Sequence, residues 1–232
     1  MLILVPAPMT KSPTPGGVPV DLGELSFPEL QSERVAVLDA AAPRGIRVAP
    51  TTPARELYGG NLLKTALAGL SPEALRRVDE WVVYVSGLWG AVRPSDELPD
   101  YRVHMCERPA GLGHLVQYWQ EPLESVLPAA AGDGLIVDVR AAEYLLAWRP
   151  TAAFADRWVG LKPVRDASFA KGSDSSTSKT VRGLVLRRIL SDGLDPSDPA
   201  GFATALEPHF RVQLRPPVDH LHPWELRVVQ PR

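Results

Sequence analysis

Residues 85–106, VSGLWGAVRPSDELPDYRVHMC, concentrate the groups of this chain that can do chemistry. They carry a hydroxyl at Ser86, guanidinium groups at Arg93 and Arg102, a carboxylate at Asp96 and a phenol at Tyr101. They end in His104 and the only cysteine, Cys106. That mixture is poor for packing and good for holding a ligand. On an extended segment His104 and Cys106 share a face, so the imidazole is placed to activate the thiol as a nucleophile. The competing reading of a lone cysteine is a buried, inert thiol.

Further basic residues stand just beyond apolar runs. Lys11 follows "LILV" by a loop, Arg140 follows "LIVDV", and Lys179 and Arg182 open a late helix. Ligand crevices of open sheets lie beyond the carboxyl ends of strands. Convergence there would build a cationic, hydroxyl-rich pocket for phosphate, carboxylate or a nucleobase. The alternative is a set of separate surface arginines paired with Asp96, Asp138 and Glu143. "GLWG" and "AGLG" are glycine turns that fit no phosphate-binding fingerprint. His220 and His222 offer two imidazoles, and Cys106, Asp219 or His209 would have to join them to hold zinc. No metal and no cofactor are assigned.

The elements that must position these groups are short and frequently broken, as 24 prolines require. Residues 2–5 and 81–85 read as strands, as do 134–139 and 158–164, with two more near the end of the chain. Residues 27–40 read as a helix capped by Ser26, and 53–70 as two helical pieces broken at Gly59-Gly60. Ser71-Pro72-Glu73 starts another helix. Residues 114–127 read as helical, with Pro122 marking a kink or a new start, and a short helix is expected over 141–147. Residues 173–179 read as a polar loop before an amphipathic helix over 179–191. Irregular alternation of strands and helices predicts one α+β domain over residues 1–232, a mixed α/β arrangement with a central sheet flanked by helices.

Hydrophobic residues make up 45% and charged residues 22% of the 232, as in an ordinary soluble globule. The net charge of −2 gives no general attraction to nucleic acid, although a local basic patch is compatible with it. One cysteine forms no internal disulfide, so nothing points to an oxidising compartment. The opening "MLILVPAP" lacks a basic leader and is too short to span a bilayer. A cytosolic location with no membrane partner is expected.

The blocks "LILVPAPMTK", "LSFPEL", "APTTPARELYGG", "SGLWGAVRPSDELPDYRV", "LVQYWQEPL", "LIVDVRAAEYLLAW" and "SKTVRG" resemble, in this order, those of YaaA-like proteins, the bacterial peroxide-stress family. The pattern S-G-L-[YW]-G-x-x-R-P-x-D-x-[IL]-x-x-Y-R is the most specific of them. The resemblance implies a cytosolic α+β domain linked to protection from peroxide and iron damage. It also implies binding of double-stranded DNA through a helix-hairpin-helix beside a cationic cleft. Family-pattern positions present here include Lys11, Ser86, Arg93, Asp96, Tyr101, Arg102, Ser175, Lys179, Arg182 and Gly183.

The chain departs from that pattern in three places. Only "PRGIRV" stands between Ala42 and Ala49, where relatives carry about two dozen residues that include the helix-hairpin-helix. Cys106 replaces a glycine. Ser176 and Thr177 replace histidine or aromatic residues, which makes that wall roomier and more polar. A retained pocket without its nucleic-acid module favours an enzyme acting on a small anionic or nucleobase-like molecule. In that reading Arg93, Asp96, Tyr101, Arg102, Ser175, Lys179 and Arg182 bind the substrate, and Lys11, Ser86, His104 and Cys106 serve the chemistry. The alternatives are a DNA-binding stress protein and a non-catalytic binding protein.

Overall fold

The computed structural model describes residues 1–42, 45–140, 143–166, 168–169 and 171–229. Its strands are β1 (Leu2–Pro6), β2 (Thr51–Pro53), β3 (Val82–Ser86), β4 (Gly90–Val92), β5 (Glu97–Pro99), β6 (Ile136–Asp138), β7 (Trp158–Val164), β8 (Val212–Arg215) and β9 (Trp224–Val229). Its helices are α1 (Gln31–Ala41), α2 (Ala54–Leu57), α3 (Asn61–Leu67), α4 (Pro72–Trp81), α5 (Leu115–Tyr118), α6 (Gln120–Ala131), α7 (Glu143–Ala147), α8 (Ser175–Asp192) and α9 (Pro199–Leu206).

Seven strands form one sheet in the order β4-β3-β1-β6-β7-β9-β8, and β2 pairs with β5 apart from it. The strands β3, β1, β6, β7 and β9 run parallel, while β4 and β8 close the two edges antiparallel. A parallel centre is covered on both faces, so its strands are continuous apolar runs rather than alternating ones. Leu2, Ile3, Leu4 and Val5 of β1 and all of β3 are buried accordingly. One group of helices, α3, α4 and α8, packs together and reaches β3 and β7; α5, α6 and α7 form another, which reaches β4. The expected mixed α/β arrangement with a helix-flanked central sheet is therefore the one observed.

Several local expectations hold. The break at Gly59-Gly60 separates α2 from α3, and Ser71 caps α4 by accepting the Ala74 N–H. Pro122 marks a new start: α5 ends at Tyr118 and α6 begins at Gln120, so Pro122 lies in a first turn, where its missing N–H costs nothing. The helix expected over 141–147 is seen from Glu143; residues 141 and 142 lie outside the described part.

Two local expectations are corrected. Ser26 does not cap the first helix, because its hydroxyl donates to Asp96 Oδ1 at 2.8 Å and Phe27 takes a left-handed φ of 61°. The chain enters α1 through a short 3-10 turn instead. The polar run before residue 179 is not a loop throughout. The Asp174 carboxylate accepts the Thr177 N–H at 2.9 Å, and α8 starts at Ser175.

Candidate functional site

β1 sits inside the sheet with β3 on one side and β6 on the other, so the winding direction reverses at β1. Such a reversal leaves a crevice beyond the carboxyl ends of the strands. A cleft of about 900 Å³ lies there, lined by Pro6 to Thr10 after β1 and by Val139 after β6. Asn61, Leu62 and Leu63 of α3 form one wall, and Ser175, Ser176, Lys179 and Arg182 of α8 form another. Gly59, Gly60, His104, Glu143 and Tyr144 complete the lining.

Gly183 sets the distance between the two helical walls. A Cβ at this position would stand 2.5 Å from the Leu62 carbonyl oxygen and 2.7 Å from Thr65 Cβ. Only hydrogen fits, so α8 approaches α3 closely and presents Lys179 and Arg182 across from Leu62.

Lys11 anchors the loop that follows β1. Its backbone bridges Tyr58 in antiparallel fashion, and the flanking Ser12 and Gly59 amides bond Leu57 and Thr10 carbonyls. The ammonium reaches the Pro8 carbonyl at 3.0 Å and lies 3.9 Å from the centre of the Tyr101 ring. Its pKa is lowered to about 8, chiefly by burial and then by the Arg102 guanidinium, with Asp100 opposing both. Lys11 therefore gives up its proton at a lower pH than an ordinary lysine, while remaining mainly ammonium at neutral pH.

Behind it runs a chain of buried hydroxyls. Tyr58 and Tyr101 meet at 2.5 Å between oxygens, and Tyr101 meets Ser86 Oγ at 2.8 Å. Ser86 Oγ also accepts the Leu88 and Trp89 amides, each at 3.2 Å. Burial raises the pKa of both tyrosines, so they stay protonated. Ser86 has no exposed surface, and its oxygen is fully engaged.

The structure thus brings Lys11, Ser86 and Tyr101 together, with Arg102 beside them in an ion pair with Asp100. It brings His104, Ser175, Lys179 and Arg182 to the cleft wall. It carries Arg93 and Asp96 elsewhere. Ser86–Gly90 is a tight reversal, so β4 runs back along β3 and ends beside its start. There Arg93 Nη1 donates to the Glu80 and Val82 carbonyls. Asp96 accepts the Arg93 amide and both the amide and hydroxyl of Ser26, which ties two loops. Cys106 is exposed and outside the cleft lining. Arg140 is locked to Asp138 at 2.7 Å with both side chains buried. Among the described residues no group of three or more His, Cys, Asp or Glu side chains is arranged to hold a metal ion. Arg187 and Arg188 stand five and six residues after Arg182 on α8, so the three guanidinium groups spread around the helix. Arg188 is instead paired with Asp192.

Tyr58 and Tyr144 were not singled out in the sequence. The available signal is a phenol beside a loop-forming Gly pair in one case and close after Arg140 in the other. Tyr144 donates to the Ala7 carbonyl at 3.1 Å, and burial pushes its pKa up to about 12. Arg34 was missed too. It is wholly buried and donates to the Ser26, Trp89 and Ala91 carbonyls, which braces the segment after β3.

Residues 24–212 match the family described as peroxide stress protein YaaA. The chain belongs to this family. A UPF0246 protein of Streptomyces coelicolor is 33% identical over 257 residues, covering 99% of this chain and 98% of its own. A UPF0246 protein of Corynebacterium efficiens is 34% identical over 62% of this chain and 68% of its own, and one of Limosilactobacillus fermentum is 30% identical over 60% and 56%. The alignment with the Streptomyces protein is longer than the present chain, so that YaaA-family relative carries residues with no counterpart here. Between α1 and β2 the described residues hold one 3-10 turn, Ile46–Val48, and no pair of helices; Pro43 and Arg44 lie outside the described part. No described helix is long and apolar enough to cross a membrane.

Proposed function

We propose that this YaaA-family chain is an enzyme that binds a small anionic, nucleobase-like molecule in the cleft beyond β1 and acts on it through the Lys11 amine. The observation that supports this reading is the arrangement of the cleft. Apolar residues on the β1 loop and α3 face Lys179 and Arg182 on α8, and Lys11 bonds a residue of the wall, Pro8. A pocket with apolar walls and a few placed polar groups suits a flat ligand with a charged edge. In this reading Lys179 binds the ligand at the α8 wall, His104 serves the chemistry beside it, and Lys11 is the base or nucleophile. The Tyr58–Tyr101–Ser86 chain holds the ring on which Lys11 rests.

Binding of double-stranded DNA is the alternative, and Lys179 and Arg187, both exposed on α8, are the groups it would use. The net charge of −2 weighs against it, as does the single turn among the described residues between α1 and β2. Calorimetric titration with nucleosides, nucleoside monophosphates and a labelled DNA duplex, the duplex at low and raised salt, separates the two readings. Saturable small-molecule binding that weakens in Lys179→Ala, with no duplex binding at low salt, is expected. Salt-sensitive duplex binding without small-molecule binding would favour the DNA reading.

A further inference from the structure

Arg182 lines two cavities. One is the cleft described above. The other is a neighbouring cavity of about 490 Å³ that lies along β7 and β9 and is bounded by the β8–β9 connection. Arg182 is the one residue common to both linings.

The second cavity is strongly basic. Arg140, Lys162, Arg182, Arg215 and Arg227 line it against two carboxylates, Asp138 and Glu225. The carboxylates are already spoken for. Asp138 holds Arg140, and Glu225 pairs with both Lys162 and Arg227. Arg215 and Arg182 form no ion pair among the described residues. Arg215 Nε donates only to Gln213 Oε1, at 3.0 Å. Arg182 reaches only the Leu161 carbonyl, at 3.4 Å from each of two nitrogens, which is the limit of a hydrogen bond. Asp138 acts on Arg182 only from beyond ion-pair distance; a half-buried guanidinium with no directly paired anion is costly, and a doubly charged oxyanion offsets that cost. The cleft on the other side of Arg182 has the opposite character. Pro6, Pro8, Met9, Leu62 and Tyr144 give it largely apolar walls.

We propose that the second cavity is the phosphate subsite of the molecule that occupies the cleft. The ligand class is a phosphomonoester of a flat body, of which a nucleoside monophosphate is the type. The phosphate sits between Arg182 and Arg215, whose planar forks match its oxygens, and the flat body lies past Arg182 against Tyr144 and Leu62. Both volumes lie within the usual range for small-molecule sites. The inference rests on the cleft reading above and adds a second compartment to it.

The test is calorimetric titration of the full chain with adenosine 5′-monophosphate, adenosine and inorganic phosphate. Wild type is compared with Arg215→Ala, Arg182→Ala and Lys179→Ala, each checked for unchanged melting. Arg215 is exposed on an edge strand and outside the cleft, so its replacement leaves the fold intact. The monophosphate is expected to bind more tightly than either fragment. Arg215→Ala should weaken the monophosphate by about tenfold and leave adenosine unchanged, and Arg182→Ala should weaken it further. Monophosphate binding that ignores Arg215→Ala but falls in Lys179→Ala would place the phosphate in the cleft, overturning this inference while leaving the cleft reading intact. Phosphate binding that needs Arg215, with no binding of adenosine, would separate the two cavities and overturn it as well. No binding of any probe would overturn both.

Discussion

The Lys11 ammonium lies 3.9 Å from the centre of the Tyr101 ring, and that ring is held at its far end by Tyr58 and Ser86. The cation therefore rests on an aromatic face whose position is fixed by buried hydrogen bonds. Its pKa is lowered, chiefly by burial, to about 8 against an ordinary value of 10.5. Between these values the unfolded lysine keeps a proton that the native one has released, so stability rises with pH across the window and is flat below it. The full rise is roughly 3 kcal/mol. Urea denaturation of wild type and Lys11→Met on either side of the window should show the rise in wild type only. The variant should be the more stable protein at neutral pH. An equal rise in both would assign it to another group.

Tyr101→Phe should cost more than Tyr58→Phe. Tyr101 bonds two hydroxyls, Tyr58 and Ser86, whereas Tyr58 bonds Tyr101. Leaving a buried hydroxyl without a partner costs about 1–3 kcal/mol. A double-mutant cycle between positions 58 and 101, read by denaturant midpoint, should give a coupling of about 1 kcal/mol. Strict additivity would mean the two phenols do not depend on each other.

Gly183→Ala should loosen the contact between α3 and α8 and move the cationic wall. Backbone and a β-branched side chain stand where the new methyl would go. A loss of about 1–3 kcal/mol in stability is expected. Weaker small-molecule binding should accompany it, even though Gly183 is absent from the cleft lining. Unchanged melting and binding would show that the two helices separate freely.

Gly90→Ala should be more damaging than Gly183→Ala. Gly90 has φ +69°, and a Cβ would stand 2.5 Å from the Trp119 ring, which itself donates to the Gly87 carbonyl. Backbone strain and a steric clash act together, for about 3 kcal/mol or more. Thermal melting decides it, and a shift of only a degree or two would contradict the packing described.

Arg34→Met should destabilise by about 1–3 kcal/mol for each carbonyl left unpaired, because three carbonyls lose a buried donor. Arg34→Lys should restore little, since one ammonium cannot span three acceptors in the plane of a guanidinium. Full rescue by lysine in a denaturation series would show that charge alone matters there.

Much of this organisation is legible in the sequence. Unbroken apolar runs such as Leu2 to Val5 mark strands buried on both faces, and the pair Gly59-Gly60 and the Ser71-Pro72 start mark helix boundaries, because these signals are local. The family blocks identify the membership that the match over residues 24–212 shows. Lys11, Ser86 and Tyr101 are named by the same blocks, and so are Lys179 and Arg182.

Proximity in sequence misleads where the chain reverses. Arg93 stands in the same stretch as Ser86 and Arg102, yet the Ser86–Gly90 turn sends it to the opposite end of β3. Ser26 looks like a cap and is spent on Asp96, 70 residues away. Ser175 looks like loop until Asp174 caps it into a helix. The sequence by itself determined the family, the apolar strands and most helix starts, since each depends on neighbours along the chain. Only the tertiary structure decided that Lys11 lies on the Tyr101 ring, that Arg93 points away, and that Arg182 stands between two cavities. Those facts depend on strand order and on the close approach of α8 at Gly183, which place side chains by contacts between distant segments.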